Sequence, residues 1–459
     1  MHQANNFNEK ISSDPLGSTA IEGEPLNLKE ILAIQMDHFT DYFPPLDATV
    51  GCAGDVVNLP LPTGEIFQIS PIHGLQWDRI FAKEAASNIL WLFSLVWVGR
   101  LLATFEQRNE EEVLRLAVVA TTSFLDYSNE PGRQSVIGNI RSADHSAATR
   151  VTVLIKLIQV MRGRQGIDYA LLERVCNCLK YWSDWLCEPE HYEKSNHGLM
   201  ASIALLHTAV QFGAAPCASR YRDVATDRIM ELGKVSFDRD GLCYENTIGY
   251  HNYNMQCYRR LLRFLKHYDM SGPLIAFIDE LILRAAEALE FCVWQDGSIP
   301  PIGDSPVYQT KIISRNKSRC FYESGFVVIK NDDLYLSVIC GSRTEFHKQV
   351  DDSSITLRFM NRDVLIDGGS YNYDRGDPHR RCVESSLGHS GLFLKECDGL
   401  LRSEFLRKLG PVSGKIERFE ESGDGVRVSC RYSMRNGRIS FIRKIFVCWP
   451  DEVAIVDYI

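Results

Sequence analysis

The hydrophobic pattern of this chain changes period once, and that change limits the possible folds more than any other feature. From Trp77 to about Glu290 apolar residues recur at three- and four-residue spacing, as in Leu154, Leu157, Ile158 and Met161. That is the pattern of amphipathic helices. A turn-rich stretch, Asp296-Gly297-Ser298-Ile299-Pro300-Pro301-Ile302-Gly303-Asp304, ends it. From Cys320 onward the apolar residues alternate. Phe326–Lys330, the turn Asn331-Asp332-Asp333 and Leu334–Val338 read as a hairpin. One element cannot satisfy both periods, so the sequence predicts many helices followed by antiparallel strands.

The helical part resolves into successive segments: Phe81–Phe105, Glu111–Tyr127, Ala147–Met161, Tyr169–Cys187, Leu199–Phe212, Tyr221–Phe237, Tyr250–Tyr268 and Leu274–Trp294. Breaks such as Pro131-Gly132 and Gly272-Pro273 separate many of them. Short links predict antiparallel helical hairpins closing into a bundle, a solenoid or a toroid, and no fixed-period repeat favours the solenoid. A shorter helix is predicted within Leu26–Phe43, and short strands within Val57–Ile69. The predicted organisation is a flexible polar segment over residues 1–25, a helical domain over 26–305 and an antiparallel β-sandwich over 306–459. Val426–Tyr432, Ile439–Val447 and Val453–Ile459 supply later strands, and the chain stops inside the last of these, as a truncated sheet would.

Composition narrows the function. The chain has 459 residues, 45% hydrophobic and 24% charged, with a formal net charge of -9. That charge argues against nucleic acid as a partner. No apolar run reaches membrane-spanning length. Fourteen cysteines without a CxxC pair or framework spacing read as reduced, mostly buried thiols. Met1 to Pro25 contains no apolar signal core, so the sequence predicts a cytoplasmic location.

Chemistry-bearing residues concentrate in four places. Ser195-Asn196-His197-Gly198 precedes a helix, where an amide, an imidazole and free backbone N–H groups favour a carboxylate; Ser195 or Asn196 also serves as a plain helix cap there. Glu245, Tyr250, His251 and Tyr253 cluster at a loop-to-helix transition, and Tyr250 and Tyr253 share one helix face. The stretch His347 to Tyr373 opens on His347-Lys348-Gln349-Val350-Asp351-Asp352. It continues as strand Ile355–Phe359, turn Asn361-Arg362-Asp363 and strand Val364–Gly369, and includes Asp367 and Tyr371. His389 lies beyond it. Asp367 and His389 are metal-ligand types, and equally suit polar sheet edges. Lastly, Arg375, His379, Arg380 and Arg381 form a basic loop suited to substrate carboxylates, with Arg150 a similar candidate.

Together and in this order, these pieces resemble the heparinase II/III-like polysaccharide lyases and the related alginate and oligoalginate lyases. The matching residues are Asn196-His197, Glu245 with Tyr250-His251, Pro301-Ile302-Gly303-Asp304-Ser305, His347 with Asp351, Leu365-Ile366-Asp367-Gly368-Gly369, Tyr371, Tyr373, His389, and Arg443-Lys444 ahead of Val456-Asp457. The resemblance runs from about residue 77 to the end. It implies an (α/α) toroid followed by an antiparallel β-sandwich, and an active site that takes an acidic poly- or oligosaccharide.

The implied reaction is β-elimination on a uronate. Neutralising the carboxylate makes the C5 proton removable, a base takes it, and an acid protonates the departing O4. By resemblance Asn196 and His347 neutralise the carboxylate and Tyr250 transfers protons. His197 or His251 is the base for the opposite C5 configuration. Glu245, His251, Tyr253, Arg150, Tyr371 and Arg380 are expected to bind substrate. Two other readings remain open: C5 epimerisation of a uronate at the same site, and non-catalytic glycan binding. Relatives that carry structural zinc hold it with a second His, the strand Asp and the later His. Here those positions are Gln349, Asp367 and His389; Gln349 is a poor zinc ligand, so the resemblance implies a weakened structural zinc site, and no cofactor is required for the reaction. The resemblance also implies a periplasmic location if an export signal lies outside this sequence.

Overall fold

The computed structural model describes residues 26–40, 43–46, 52–53, 56–61, 65–69, 75–78, 80, 84, 86–140, 142–372 and 376–459. The expected flexible segment 1–25 lies outside them. Two compact units make up the chain. One comprises Met1–Asp37, Phe43–Tyr192 and Ala204–Ala225; the other comprises His38–Tyr42, Glu193–Ile203 and Thr226–Ile459.

The first unit is built mainly of helices: Leu28–Ala33, Ala86–Phe93, Val96–Arg108, Glu111–Ser128, Arg133–Gly138, Ala143–Met161 and Tyr169–Cys187. A small sheet, Cys52–Ala53, Val56–Pro60 and Ile66–Ile69, belongs to it as well. Side-chain oxygens start two of the helices: Asp168 accepts from Leu171 N at 3.0 Å, and Asn27 from Glu30 N at 3.5 Å. The apolar stripes read from the sequence are the buried ones, including Leu154, Leu157, Ile158, Leu179 and Trp182. The expected single segment Phe81–Phe105 is broken. Leu95 takes a left-handed backbone (φ 57°), Ser94 Oγ donates to Trp91 O, and the helix axes on either side differ by 51°. Burial of Leu95 and Trp97 fixes the bend, which an apolar stripe alone does not reveal. Among the described residues no single helix is long and apolar enough to cross a membrane.

The second unit holds the helices Ile248–His267 and Gly272–Cys292, two larger antiparallel sheets and the two-stranded pair Ser298–Ile299 and Tyr308–Gln309. Helices Asn196–Phe212 and Pro216–Ser236 contribute residues to both units. In the five-stranded sheet the order is Arg362–Leu365, Ile355–Phe359, Leu334–Ile339, Phe326–Lys330, Arg319–Phe321. The four-stranded sheet is a meander of Ser413–Ser422, Gly425–Met434, Ile439–Cys448 and Glu452–Tyr458. Val327, Ile329, Leu336 and Val338 from the first sheet share one core with Val426, Val428, Tyr432, Phe441 and Ile445 from the second. That shared core is what makes the pair a β-sandwich. Arg443 reaches Asp457 on the neighbouring strand at 2.8 and 2.9 Å and also donates to Ser353 O and Ser390 O, tying the second sheet to the loops of the first.

Local details differ from the sequence expectations. The turn expected at Asn361-Arg362-Asp363 falls at Met360-Asn361, both with positive φ, and Arg362 and Asp363 belong to the returning strand. That strand stops at Leu365. The helix expected from Leu199 begins at Asn196. Ser413–Ser422 carried no recognisable signal because almost all of its side chains are exposed or half-exposed. The basic stretch expected to be a loop is instead the helix Pro378–Glu384, started by Asp377 accepting from His379 N.

The turn-rich link between helices and strands is anchored to the earlier helix Ile248–His267. Ser305 Oγ accepts from Gly249 N at 2.7 Å and lies 2.5 Å from Thr247 Oγ1, so it caps the helix Ile248–His267. Gly303 has φ +60°, and a Cβ there would stand 3.0 Å from Asn246 O. Gly303→Ala is therefore expected to destabilise by about 2 kcal/mol. Gly132→Ala, also at positive φ but with open space around it, should cost about 1 kcal/mol. Urea-unfolding midpoints of the two variants check this, and equal losses would contradict the close approach at Gly303.

Candidate active site

The candidate site lies wholly within the second unit. His347 is its centre. The residue has a left-handed backbone (φ 54°), uncommon for a side chain of this size. The preceding residues hold it there. Asn246, itself at φ 59°, donates to Thr344 O at 3.0 Å and Phe346 O at 2.9 Å, and Thr344 Oγ1 donates to Tyr244 O. The ring then stacks on Tyr250, with centroids 3.6 Å apart and planes 21° from parallel. Tyr250 sits in the first turn of helix Ile248–His267, the helix capped by Ser305.

Each nitrogen of His347 faces a carboxylate. Nδ1 lies 3.3 Å from Asp304 Oδ2 and Nε2 lies 3.5 Å from Glu245 Oε2. Asp304 is almost fully buried. Burial opposes its charge, but His347, Arg380 and Gln349 outweigh that and hold its carboxyl below the usual range. Arg380 meets it with two N–H groups, at 2.6 and 3.3 Å, and Gln349 Nε2 donates to Oδ1 at 2.8 Å. Arg380 Nε also binds Glu384. Nearby, Arg402 joins Glu345 to Asp352, and Lys348, wholly buried, joins Asp351 to Asp352. Asp304 was not singled out from sequence as a site residue; its place in the matching stretch Pro301–Ser305 was the available signal.

Glu245 extends the site toward Asn196. Asn254 Nδ2 donates to Glu245 Oε1 at 2.9 Å, and burial raises the Glu245 carboxyl above its ordinary value against the pull of Asn254, His347 and His197. Ser195, Asn196, Glu245, Asn254, Thr344 and Phe346 line one cavity. Asn196 is the first residue of helix Asn196–Phe212, and Ser195 Oγ accepts from His197 N at 3.2 Å. The site thus brings Asn196, Glu245, Tyr250 and His347 together from three segments far apart in sequence. It can offer neutral and imidazole donors to an anion, a phenol for proton transfer, and a buried acid.

Other expected residues fall elsewhere. His251 is wholly buried; Nδ1 accepts from Cys243 N, Nε2 contacts Ala285 O, and burial pushes its pKa down to about 4. It is a core tether and not a surface for substrate. Arg150 belongs to the first unit, fully buried against Trp182 and Phe124 and bonded to Phe93 O and Ser146 Oγ. Arg380 is spent on Asp304 and Glu384. Tyr253 and Tyr371 are exposed. Tyr373 and Arg375 lie outside the described residues.

The residues matching the zinc ligands of relatives offer one imidazole, one carboxylate and one amide. His389 Nδ1 lies 2.8 Å from Asp367 Oδ2, both side chains wholly buried, while Asp367 Oδ1 accepts from Gly303 N and Gly369 N. Despite burial, Asp367 raises the His389 pKa, as an ion pair does. Gln349 is turned by its amide nitrogen to Asp304 and offers only an amide oxygen. Among the described residues no third His, Cys or carboxylate completes a donor cluster with Asp367 and His389. One imidazole, one carboxylate and one amide fall short of a closed four-ligand zinc set.

Comparisons with known proteins bear on this geometry. Residues 89–324 match the family model Heparinase II/III N-terminus, and residues 314–457 match Heparinase II/III-like, C-terminal. No curated protein sequence matches. Among solved structures, the heparan sulfate lyase HepC from Pedobacter heparinus aligns with a TM-score of 0.64 at 14% identity, covering 94% of this chain and 72% of that one. A heparinase III structure aligns with a TM-score of 0.69 at 14% identity, covering 84% of this chain and 65% of that one. At that identity the likeness is one of fold: a helical toroid followed by an antiparallel β-sandwich.

The two carboxylates around His347 make opposite contributions to stability. Asp304, with its pKa lowered, stabilises above the ordinary carboxylate range and loses that contribution as pH falls through its folded value. Glu245, with its pKa raised, contributes at low pH and loses that contribution as pH rises through its folded value. Glu245→Gln is expected to raise Tm at neutral pH by roughly 1–2 °C, with the gain vanishing in acid. Asp304→Asn should cost about 3 kcal/mol at neutral pH, because Arg380 loses a charged partner in a buried place. Thermal melts across pH check both, and a gain for Glu245→Gln that grew in acid would reverse the assignment.

Proposed function

Because this chain belongs to the heparinase II/III-like family of polysaccharide lyases, we propose that it cleaves a uronate-containing poly- or oligosaccharide by β-elimination at the site around Tyr250 and His347. The observation that carries this reading is the face-to-face contact of those two side chains, which come from a helix and from the loop between strands Leu334–Ile339 and Ile355–Phe359, with Asp304 and Glu245 holding the imidazole from both sides.

The chemistry follows from the residue types. The substrate carboxylate accepts from the Asn196 amide at a helix N-terminus, where free N–H groups favour an anion, and from His347. Both interactions strengthen as charge moves from C5 onto the carboxylate in the transition state. The C5–H bond breaks, its electron pair forms the C4=C5 double bond, and the C4–O4 bond breaks. Tyr250 gives its phenolic proton to O4. Where the C5 hydrogen and O4 lie on one face, Tyr250 starts as the phenolate, takes the C5 proton and passes that same proton to O4. For the opposite configuration the half-buried His197, next to Asn196, takes the C5 proton. Asp304 beside Nδ1 and Glu245 beside Nε2 fix the orientation of the His347 ring against Tyr250. The reading needs no cofactor.

Incubation with uronate polymers, followed by the ultraviolet absorbance of the unsaturated product, tests the reaction. Tyr250→Phe is expected to lower turnover about 10³-fold with melting temperature unchanged, and His347→Ala about 10²-fold. Near-normal turnover in Tyr250→Phe would remove that residue from its role. Absence of product from every uronate polymer would sink the lyase reading.

A further inference from the structure

Two cysteines meet between the sheets of the β-sandwich. Cys340 directly follows strand Leu334–Ile339 of the five-stranded sheet, and Cys430 lies within strand Gly425–Met434 of the four-stranded one. Both are buried in the core that the two sheets share. The backbones come close at this point. Gly341 has φ +110°, and a Cβ there would stand 2.5 Å from Gly414 O. Gly414 pairs with Tyr432, on the same strand as Cys430. The Cys340 thiol lies 3.3 Å from Arg431 O and shares a hydrogen bond with the Cys430 sulfur.

A buried cysteine usually acts as a small apolar side chain. Two that touch can do more. Their shared hydrogen bond holds the Cys430 thiol below its ordinary pKa, against burial, and pushes the Cys340 thiol up. Cys430 is thus the readier thiolate and Cys340 its proton-bearing partner, an unequal pair suited to thiol–disulfide exchange.

A bond between them would fasten a particular loop. Gly341 N donates to Asp352 Oδ1 at 2.8 Å, so the two ends of the segment that carries His347 meet beside Cys340. Asp352 also meets Lys348 and Arg402. A Cys340–Cys430 bond would tie the base of this segment to the second sheet and close a loop of about ninety residues.

We propose that Cys340 and Cys430 are a redox pair, joined as a disulfide between the sheets in an oxidising environment and kept as two thiols in a reducing one. The oxidant is a small-molecule disulfide. The Cys430 thiolate attacks one of its sulfurs and expels a thiolate. Cys340 then loses its proton, attacks the mixed disulfide at Cys430 and expels the second thiolate. Two protein thiols become one disulfide, and the oxidant becomes two thiols. Both sulfurs are buried, so the exchange takes place as the sandwich folds or opens locally. The proposal does not depend on what the active site binds.

The full-length protein tests it. The protein is equilibrated with mixtures of reduced and oxidised glutathione at its urea midpoint, where both sulfurs become accessible, and returned to buffer in the same mixture. Free thiols are then alkylated and linked peptides identified by mass spectrometry. A Cys340–Cys430 link is expected, and the oxidised protein should melt roughly 5 °C above the same sample after reduction. Cys430→Ala is expected to lose that difference. The exposed Cys382 and Cys448 report that oxidation took place. Recovery of Cys340 and Cys430 as free thiols while Cys382 or Cys448 carries glutathione overturns the proposal. So does linkage of either residue to a different cysteine. The peptide map of the unsubstituted protein decides the matter even where Cys430→Ala folds poorly.

Discussion

The buried carboxylate of Asp304 is the interaction on which the rest of the site depends. It is out of water, so its charge is costly unless partners offset it. Arg380 does so with two N–H groups, Gln349 adds a third donor, and the His347 imidazole a fourth. Each partner is thereby placed relative to one fixed point. The residues flanking Asp304 reinforce that point, since Gly303 N donates to Asp367 and Ser305 caps the helix that carries Tyr250. A short turn between helices and strands thus sets the position of an imidazole from the sheet side and a phenol from the helix side.

Such an arrangement makes sense for a reaction whose barrier lies in creating charge next to a carboxylate. Donors that are already oriented need not reorganise as charge develops. His347 could not be held this way by packing alone, because its backbone occupies a sparsely populated region. Asn246 compensates, also from a left-handed conformation, by holding the two carbonyls that lead into it. The buried charges Lys348, Asp351 and Asp352, with Arg402 linking Asp352 to the exposed Glu345, tie down the loop after His347. Removing one member leaves another buried charge unpaired, so the network acts as a unit.

The same electrostatics separates residues that looked alike in sequence. His251 and His347 are both histidines in stretches that carry the family resemblance. One has its ring nitrogens occupied by backbone groups in the core, and the other is partly exposed with carboxylates on both sides. Arg150 and Arg380 were both candidate anion binders. Arg150 is buried among aromatic rings in a different unit, and Arg380 is an anchor for Asp304. Gln349, which in sequence is only a defective metal ligand, has a definite role as a donor to Asp304.

By itself the sequence determined the two architectures and their order, because helical and strand periods are written in local spacing. The limits of helix Tyr169–Cys187 and the hairpin Phe326–Ile339 follow from such spacing, from Asp168 as a cap and from Asn331-Asp332-Asp333 as a turn. Motif order also pointed to Asn196, Tyr250 and His347. It could not show the break at Leu95, the exposed strand Ser413–Ser422 or the helix at Arg380, since none leaves a periodic trace. Which titratable residue is partly exposed, which is buried and which merely anchors another was decided only by tertiary structure. Those roles depend on burial and on partners dozens of residues away, such as Asp304 for Arg380 and Glu245 for His347, and a linear pattern carries neither.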